Sequence, residues 1–152
     1  MVQDATDGLL DHAGRPEAPD SASQSARTID LVHSARVLVV DDDDAIRQLV
    51  VTQLSEVGLQ VDNAVNGADA LDRLGHAGPP ELMLVDLMMP VVDGFQLVAQ
   101  VKKDYPAVRI VAMSAMDYRQ EALAAGFEDF LLKPFDIMAH QLPDRIQLLL
   151  AR

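Results

Sequence analysis

Residues 81–94, which read ELMLVDLMMPVVDG, contain the clearest strand signal in this sequence. The apolar run LMLV stops abruptly at Asp86, and a proline and an Asp-Gly pair follow it. An apolar run of this length between turn signals is typical of a parallel strand that is buried on both faces. Open α/β folds place their chemistry just beyond the carboxyl ends of such strands, so Asp86 is the first candidate functional residue.

Composition narrows the class of protein. The chain has 152 residues, of which 49% are hydrophobic, and this indicates one globular domain with an ordinary core. The net charge of -12 argues against direct nucleic-acid binding, and the lack of cysteine excludes disulfides and thiolate metal sites. The longest apolar runs are too short to cross a bilayer, and no signal peptide is evident. We therefore predict a cytoplasmic protein that does not contact a membrane.

Residues 1–34 differ in composition from the rest of the chain. Glycine, proline, serine and scattered acidic residues are frequent there, and no helical or strand periodicity is visible. We predict a mobile acidic tail over residues 1–34 and a single domain over residues 35–152. Because the sequence stops two residues after Leu150, we expect no additional output domain.

From residue 36 onward, predicted strands and helices alternate five times. The strands are predicted at 37–40, 59–64, 82–85, 108–113 and 130–132, and the helices are marked by apolar residues at helical spacing within 46–57, 68–74, 95–101, 118–125 and 137–150. Such strict alternation predicts an α/β fold with a doubly wound five-stranded parallel sheet. In the strand order 2-1-3-4-5, every strand ends at the same edge, and a crevice opens between strands one and three.

Reactive side chains stand at four of these strand ends. Asp41 and Asp42 follow the first strand, Asp86 the third, Ser114 the fourth and Lys133 the fifth. Three clustered carboxylates repel one another unless a cation holds them, and oxygen ligands suit a hard ion such as Mg²⁺. With a phosphate at that ion, Asp86 supplies a nucleophile, Lys133 a positive charge and Ser114 a hydrogen bond to the transferred phosphoryl group.

The same residues identify a family resemblance. VLVVDDD at 37–43, LMLVDLMMPVVDG at 82–94, AMSA at 112–115 and FLLKPF at 130–135 resemble, in this order, the motifs of the receiver domain of two-component response regulators. The resemblance covers about residues 36–152 and implies the flavodoxin-like receiver fold. Each segment is weak evidence by itself, but four segments in order, each at a strand end, form a specific pattern.

The resemblance implies a role for each matching residue. Asp86 becomes the phosphoacceptor, Ser114 the switch hydroxyl and Lys133 the cation that contacts the phosphate. The Mg²⁺ ligands are Asp42 with Asp41 in support, Asp86, and the backbone carbonyl of Met88. Phe130 occupies the switch-aromatic position, and the peptide bond between Lys133 and Pro134 is one that is often cis in this family.

The function implied is that of a stand-alone, chemotaxis-type response regulator. It accepts a phosphoryl group from a sensor histidine kinase or a histidine phosphotransfer protein, and it signals to a downstream protein through altered contacts. On this reading the chain is not an enzyme beyond its own phosphorylation and dephosphorylation, and it binds no nucleic acid directly.

Three departures from the family pattern give further predictions. The interval from Ser114 to Lys133 is shorter than usual, so the helix within it should be truncated. Pro143 interrupts the last predicted helix, which should therefore kink or restart there. Met88 and Met116 flank the phosphorylation pocket where family members often carry polar side chains, and their apolar side chains should exclude water and slow hydrolysis of the phosphoryl group.

Two other functions remain open from the residues. A phosphohydrolase resembling the haloacid dehalogenase group would use Asp41 as its nucleophile, with Ser114 and Lys133 in support, although the later acidic pair of such enzymes is missing. A phosphate-independent scaffold would keep the receiver shape without the chemistry. Asp44 is predicted to have a structural role as the N-cap of the helix that begins at Ala45.

Overall fold

The computed structural model describes residues 35–138 and 141–152, so the predicted tail over 1–34 lies outside the described residues. Its strands are β1 Arg36–Val40, β2 Gln60–Ala64, β3 Leu82–Asp86, β4 Arg109–Ser114 and β5 Asp129–Leu132. Its helices are α1 Asp44–Glu56, α2 Gly67–Ala77, α3 Gly94–Asp104, α4 Arg119–Ala125, α5 Phe135–Met138 and α6 Leu142–Leu150.

The five strands form one parallel sheet in the order β2-β1-β3-β4-β5, which confirms the predicted fold. Val40 pairs with Val85, Asp86 with Met113, and Ser114 with Leu132. These pairings bring the carboxyl ends of β1, β3, β4 and β5 to one edge, hereafter the carboxyl edge of the sheet.

The core has two layers because successive strand residues face opposite sides of the sheet. In β3, Met83 and Val85 belong to one apolar cluster, whereas Leu82 and Leu84 belong to the other. Every residue of β3 is buried, which fits a central strand covered by helices on both faces. The central position of β3 therefore fixes where Asp86 emerges.

Two helix starts at the carboxyl edge are capped by aspartates. The prediction that Asp44 caps the first helix is wrong, because Asp43 is the N-cap and accepts hydrogen bonds from the backbone N–H groups of Ala45 and Ile46. Asp43 has the extended backbone that a cap requires, whereas Asp44 is already helical. Asp93 caps α3 through a reciprocal capping box with Gln96.

The C-terminal part of the domain bears out the predicted irregularities. Helix α4 has 7 residues, whereas α2 and α3 have 11 each, so it is truncated as expected. The last helical region is divided into α5 and α6, and Pro143 lies in the first turn of α6, where its missing N–H costs no helical hydrogen bond. The helix therefore restarts near Pro143. Within the described residues, no helix is long and apolar enough to cross a membrane.

Candidate functional site

Three carboxylates meet at the carboxyl edge of the sheet. Asp41 and Asp42 follow β1, and Asp86 is the last residue of β3. One carboxylate oxygen from each lies within 4.8 Å of the others, in a group whose outer member, Asp42, is exposed while Asp41 and Asp86 are buried. We call these three side chains, together with Lys133, the acidic pocket. The topology thus gathers the residues that the sequence places at strand ends.

Asp86 lies in an environment that disfavours its ionised form. Its side chain is buried, its Oδ1 accepts a hydrogen bond of 3.2 Å from the backbone N–H of Met88, and its Oδ2 lies 3.5 Å from Lys133 Nζ. Burial and the neighbouring negative charge of Asp41 raise the pKa of Asp86 to about 7, against the opposing effect of Lys133. The pocket therefore carries more negative charge than its own cation offsets.

Asp41 is held at every polar atom. Its backbone N–H donates to the carbonyl of Ala64, and its carbonyl accepts from Arg47. Its Oδ1 accepts from the backbone N–H of Asp43, and its Oδ2 accepts from Lys133 Nζ, each at 2.9 Å. Asp41 is fully buried, so these bonds replace the water that its carboxylate has lost.

Lys133 connects β5 to the two buried carboxylates. Its backbone N–H donates to the carbonyl of Ser114 at 2.8 Å, and its peptide bond to Pro134 is cis, as the resemblance implies. Burial alone would lower the pKa of Lys133, but the hydrogen bond from Lys133 to Asp41 and the charges of Asp41 and Asp86 raise it. Lys133 is therefore a firmly protonated cation inside the pocket.

Ser114 ends β4 as a buried hydroxyl. Its Oγ accepts a hydrogen bond of 3.1 Å from the backbone N–H of Met116, and its backbone carbonyl accepts from Lys133. Because Oγ acts as an acceptor here, its own proton remains available to donate. The structure thus joins Ser114 to the pocket through the backbones of β4 and β5.

The two flanking methionines are exposed. The exposed fractions of Met88 and Met116 are 57% and 58%, and each donates its backbone N–H to the side chain two residues earlier, Asp86 for Met88 and Ser114 for Met116. The Tyr118 hydroxyl contacts Met116 Sδ at 3.8 Å. The prediction that their side chains slow hydrolysis stays a prediction.

The loop between β3 and α3 has a strained turn at its tip. Val91 has a φ of +69°, which is costly for a β-branched side chain, and the N–H of Val92 donates to the carbonyl of Pro90 at 2.8 Å in a γ-turn. At the base of the loop, a Cβ on Gly94 would lie only 2.7 Å from the carbonyl oxygen of Asp86. Glycine at position 94 therefore lets α3 begin directly beside the pocket.

Sequence reasoning missed Arg47, whose guanidinium binds the backbone of the segment that carries Asp41 and Asp42. Arg47 is 6% exposed, and its guanidinium donates to the backbone carbonyl of Asp41, to Asn63 Oδ1 and to Asp44 Oδ1. A signal was available, because Arg47 precedes Val50 by three residues and therefore falls on the buried face of α1.

Phe130, the residue at the switch-aromatic position, is a core residue in this structure. Its ring is buried, and the guanidinium carbon of Arg119 lies 5.4 Å from the ring centroid, at the start of the truncated α4. Arg119 also donates to the backbone carbonyl of Phe130 at 3.3 Å. This stacking contact was not predicted, since it joins residues on different elements.

The donor atoms of the pocket fit a hard divalent cation. Three carboxylates face one ammonium group, and all the side-chain atoms that could bind a cation are oxygens. Burial first, and the charge of Asp41 second, raise the pKa of Asp86, so a bound cation would favour its ionised form. Oxygen ligands of this kind are those that Mg²⁺ prefers. The residues present are thus suited to bind Mg²⁺.

Comparisons with known proteins agree on one family. The family model described as the response regulator receiver domain matches residues 37–147. Response regulator MprA of Mycobacterium bovis is 38% identical over 122 residues, which are 78% of this chain and 52% of that protein. The chain spans about half the length of the curated relatives it matches.

Solved structures agree with this match. The receiver domain of the Francisella response regulator 1452 aligns with a TM-score of 0.69 and 32% identity, over 77% of this chain and 97% of that one. The response regulator TrrA of Thermotoga maritima, in complex with Mg(2+)-BeF, aligns with a TM-score of 0.63 and 28% identity, over 74% and 98% of the two chains.

Proposed function

The chain belongs to the response regulator receiver family, and we propose that it accepts a phosphoryl group on Asp86. Receiver domains act as phosphoacceptors in signalling, and they interact with histidine kinases or phosphotransfer proteins. We propose that such a protein is the donor here, and that the phosphorylated chain signals by changing its contacts with a downstream protein.

The observation that carries this proposal is the difference between the two buried carboxylates. Both oxygens of Asp41 are committed to hydrogen bonds of 2.9 Å, with Lys133 and with the N–H of Asp43. Asp86 accepts one longer bond of 3.2 Å and lies 3.5 Å from Lys133 Nζ. Asp86 is therefore the buried carboxylate with an oxygen available for attack on phosphorus.

The transfer follows from the groups around Asp86. A carboxylate oxygen of Asp86 attacks phosphorus, the bond between phosphorus and the donor's leaving nitrogen or oxygen breaks, and an acyl phosphate forms on the protein. Lys133 Nζ can move from the carboxylates to a phosphoryl oxygen without leaving the pocket. The Ser114 hydroxyl can donate to a second phosphoryl oxygen, which draws β4 and its following loop toward β3.

Receiver domains generally bind Mg²⁺ at an acidic pocket, and we propose that Asp42, Asp86 and the Met88 carbonyl would hold it here, with Asp41 in support. When bound, the ion supplies positive charge that offsets the carboxylates and the incoming phosphoryl group. The similarity to TrrA, whose structure contains Mg(2+)-BeF, supports this assignment.

The alternative of a phosphohydrolase with Asp41 as nucleophile is disfavoured by the surroundings of Asp41. A nucleophile needs a free oxygen that faces the substrate, but Asp41 is fully buried and both its oxygens accept hydrogen bonds. The alternative of a phosphate-independent scaffold is disfavoured by the composition of the pocket, because three carboxylates around one ammonium group repel one another and add nothing to a purely structural site. We propose a phosphoacceptor that is not otherwise an enzyme.

Incubation with acetyl phosphate and Mg²⁺, followed by intact-mass measurement, tests the proposed function. We expect one phosphoryl adduct on the wild-type chain and none on Asp86→Ala. Asp104→Asn is a suitable control, because Asp104 is an exposed carboxylate at the end of α3 that bonds only Gln100 among the described residues. An adduct that survives Asp86→Ala, or phosphate release that requires Asp41 alone, would contradict the proposal.

A further inference from the structure

We infer that Arg47 is a positioning residue that aims Asp42 and thereby sets the affinity of the acidic pocket for divalent cations. The inference rests on the proposed function, since it concerns the same pocket. Arg47 lies in the first turn of α1 and is one of the few charged residues buried in the domain.

The Arg47 guanidinium ties three elements together. Nη1 donates to the carbonyl of Asp41 beyond β1 at 2.9 Å, Nε donates to Asn63 of β2 at 3.1 Å, and Nη2 donates to Asp44 of α1 at 2.6 Å. A buried guanidinium is costly unless its donors are paired, and here each of its three nitrogens has an acceptor. Planar, forked geometry then leaves the guanidinium little freedom to move.

The carbonyl that Arg47 holds belongs to the peptide between Asp41 and Asp42. Rotation of this peptide would turn the direction in which the Asp42 side chain leaves the backbone. The Asp42 side chain is exposed, and no hydrogen bond to its carboxylate is found within residues 35–138 and 141–152. The orientation of the Asp42 side chain therefore depends on its backbone, and Arg47 fixes that backbone by its hydrogen bond to the carbonyl of Asp41.

Arg47 and Lys133 contact the residues of the pocket in different ways. Lys133 contacts carboxylate oxygens of Asp41 and Asp86 directly, at 2.9 and 3.5 Å, so it can interact with a phosphoryl group. Arg47 contacts Asp41 only through its backbone carbonyl. It acts through the peptide between Asp41 and Asp42, as residues that hydrogen-bond behind a metal ligand do. Changes to such residues typically weaken metal binding about 10- to 100-fold.

The test compares Arg47→Met and Arg47→Lys with Arg145→Met in the full chain. Arg145 is a matched control, because it also donates to a backbone carbonyl, that of Phe130 at 3.2 Å, and to the carboxylate of Asp129 at 2.8 Å, and neither partner belongs to the acidic pocket. Titration calorimetry measures Mg²⁺ affinity, and acetyl phosphate labelling over a range of Mg²⁺ concentrations separates half-saturation from maximal rate.

We expect Arg47→Met to weaken Mg²⁺ binding about tenfold and to raise the half-saturating Mg²⁺ concentration equally, while the rate at saturating Mg²⁺ stays within about twofold. Arg47→Lys keeps the charge but offers no fork, so it should restore little of the affinity. Arg145→Met should lower the melting temperature and leave Mg²⁺ affinity unchanged.

An unchanged Mg²⁺ affinity in folded Arg47→Met would overturn the inference. Full recovery of the affinity in Arg47→Lys would also overturn it, because the positive charge alone, and not the orientation of Asp42, would then explain the effect. If Arg47→Met does not fold, Asn63→Ala removes one acceptor of the guanidinium and should still weaken Mg²⁺ binding several-fold; no change would again overturn the inference. A wild-type chain that binds Mg²⁺ but forms no adduct would refute the proposed function while leaving the role of Arg47 measurable. A wild-type chain that binds no Mg²⁺ would refute both.

Discussion

Two of the charged clusters among the described residues differ in how their charges are balanced. The acidic pocket sets three carboxylates against one ammonium group at the carboxyl edge of the sheet. The second cluster, which we call the β5 cluster, pairs two carboxylates, Asp129 and Asp136, with two guanidiniums, Arg119 and Arg145. The acidic pocket therefore has an excess of negative charge, whereas the β5 cluster is neutral.

This difference in charge balance corresponds to a difference in role: the β5 cluster stabilises the fold, and the acidic pocket is the candidate functional site. In the β5 cluster, Arg145 lies 2.8 Å from Asp129 and 3.7 Å from Asp136, so its charge is used within the fold. In the acidic pocket, Asp86 has a pKa raised to about 7, which means that folding works against its ionised form. An uncompensated buried group costs stability and is kept where chemistry needs it. Substitutions in the acidic pocket should therefore impair phosphorylation, whereas substitutions in the β5 cluster should lower stability and leave phosphorylation nearly unchanged.

Loss of the single ammonium group of the acidic pocket should have the largest effect on phosphorylation. Lys133→Ala removes the ammonium group that contacts Asp41 and Asp86, and it should slow labelling by acetyl phosphate about 100-fold, as loss of a positioned charge at a transferred group does. Rates from intact-mass time courses measure this effect. Asp129→Asn, the counterpart in the β5 cluster, should leave the rate within about twofold, and comparable slowing by both variants would contradict the comparison.

The second prediction concerns stability and pH in the absence of metal. The raised pKa of Asp86 means that the folded chain keeps a proton up to about pH 7, whereas the unfolded chain releases it near 3.8. Its stabilising contribution is therefore complete below about pH 4 and is lost as the pH rises through 7. At pH 8 with EDTA, Asp86→Asn should be more stable than wild type by about 1–3 kcal/mol.

Denaturant unfolding at pH 5 and pH 8 measures this difference, which should shrink at pH 5 and on addition of Mg²⁺. Asp129→Asn should instead lower the free energy of unfolding by about 1 kcal/mol at both pH values, because it removes a compensated ion pair. If Asp86→Asn lowers the free energy of unfolding at pH 8, the excess negative charge of the pocket does not destabilise the fold, and the prediction is wrong.

A smaller effect is expected on the lifetime of the acyl phosphate. Met116 is exposed beside the pocket, and Met116→Glu would place a carboxylate there that can orient an attacking water. Dephosphorylation should become about 3- to 10-fold faster, as followed by decay of the adduct mass after removal of acetyl phosphate. Met138→Glu, at a methionine of similar exposure on α5, serves as the control. An unchanged lifetime in Met116→Glu would show that the methionines do not exclude water.

The smallest effect concerns strain in the loop beside the pocket. Val91 is 94% exposed and has a φ of +69°, so Val91→Gly loses almost no packing and relieves a conformation that valine disfavours. The free energy of unfolding should rise by about 0.5–1 kcal/mol, measured with denaturant. A decrease would mean that the turn is not strained. Val65→Gly, at an exposed valine elsewhere, should not stabilise the chain.

The sequence was sufficient to predict the sheet and the gathering of the pocket residues. Buried parallel strands leave continuous apolar runs, and their common direction forces Asp86, Ser114 and Lys133 to one edge. A kink or a restart at Pro143 was also predictable, since proline has no N–H to donate and is best tolerated in the first helical turn, where the structure places it. These features depend on local pattern and topology alone.

Other features depend on contacts between distant parts of the chain and could not be predicted from the sequence pattern. Four consecutive aspartates offer equally good caps, so the choice of Asp43 over Asp44 depends on where β1 ends. The spacing of Arg47 from Val50 indicates the buried face of α1, but it does not give the three acceptors that the guanidinium meets on other residues. The contact of Arg119 with Phe130 joins two elements whose distance no sequence spacing gives, and a valine at positive φ contradicts local preference.

The β5 cluster has a consequence for behaviour at high concentration. β5 is an edge strand, and edge strands offer free backbone groups on which another chain can pair and start a fibril. Here the carbonyl of Phe130 accepts from both Arg119 and Arg145, and the N–H of Leu132 donates to Asp136. The side chains that stabilise this edge thus also block it as a template for aggregation.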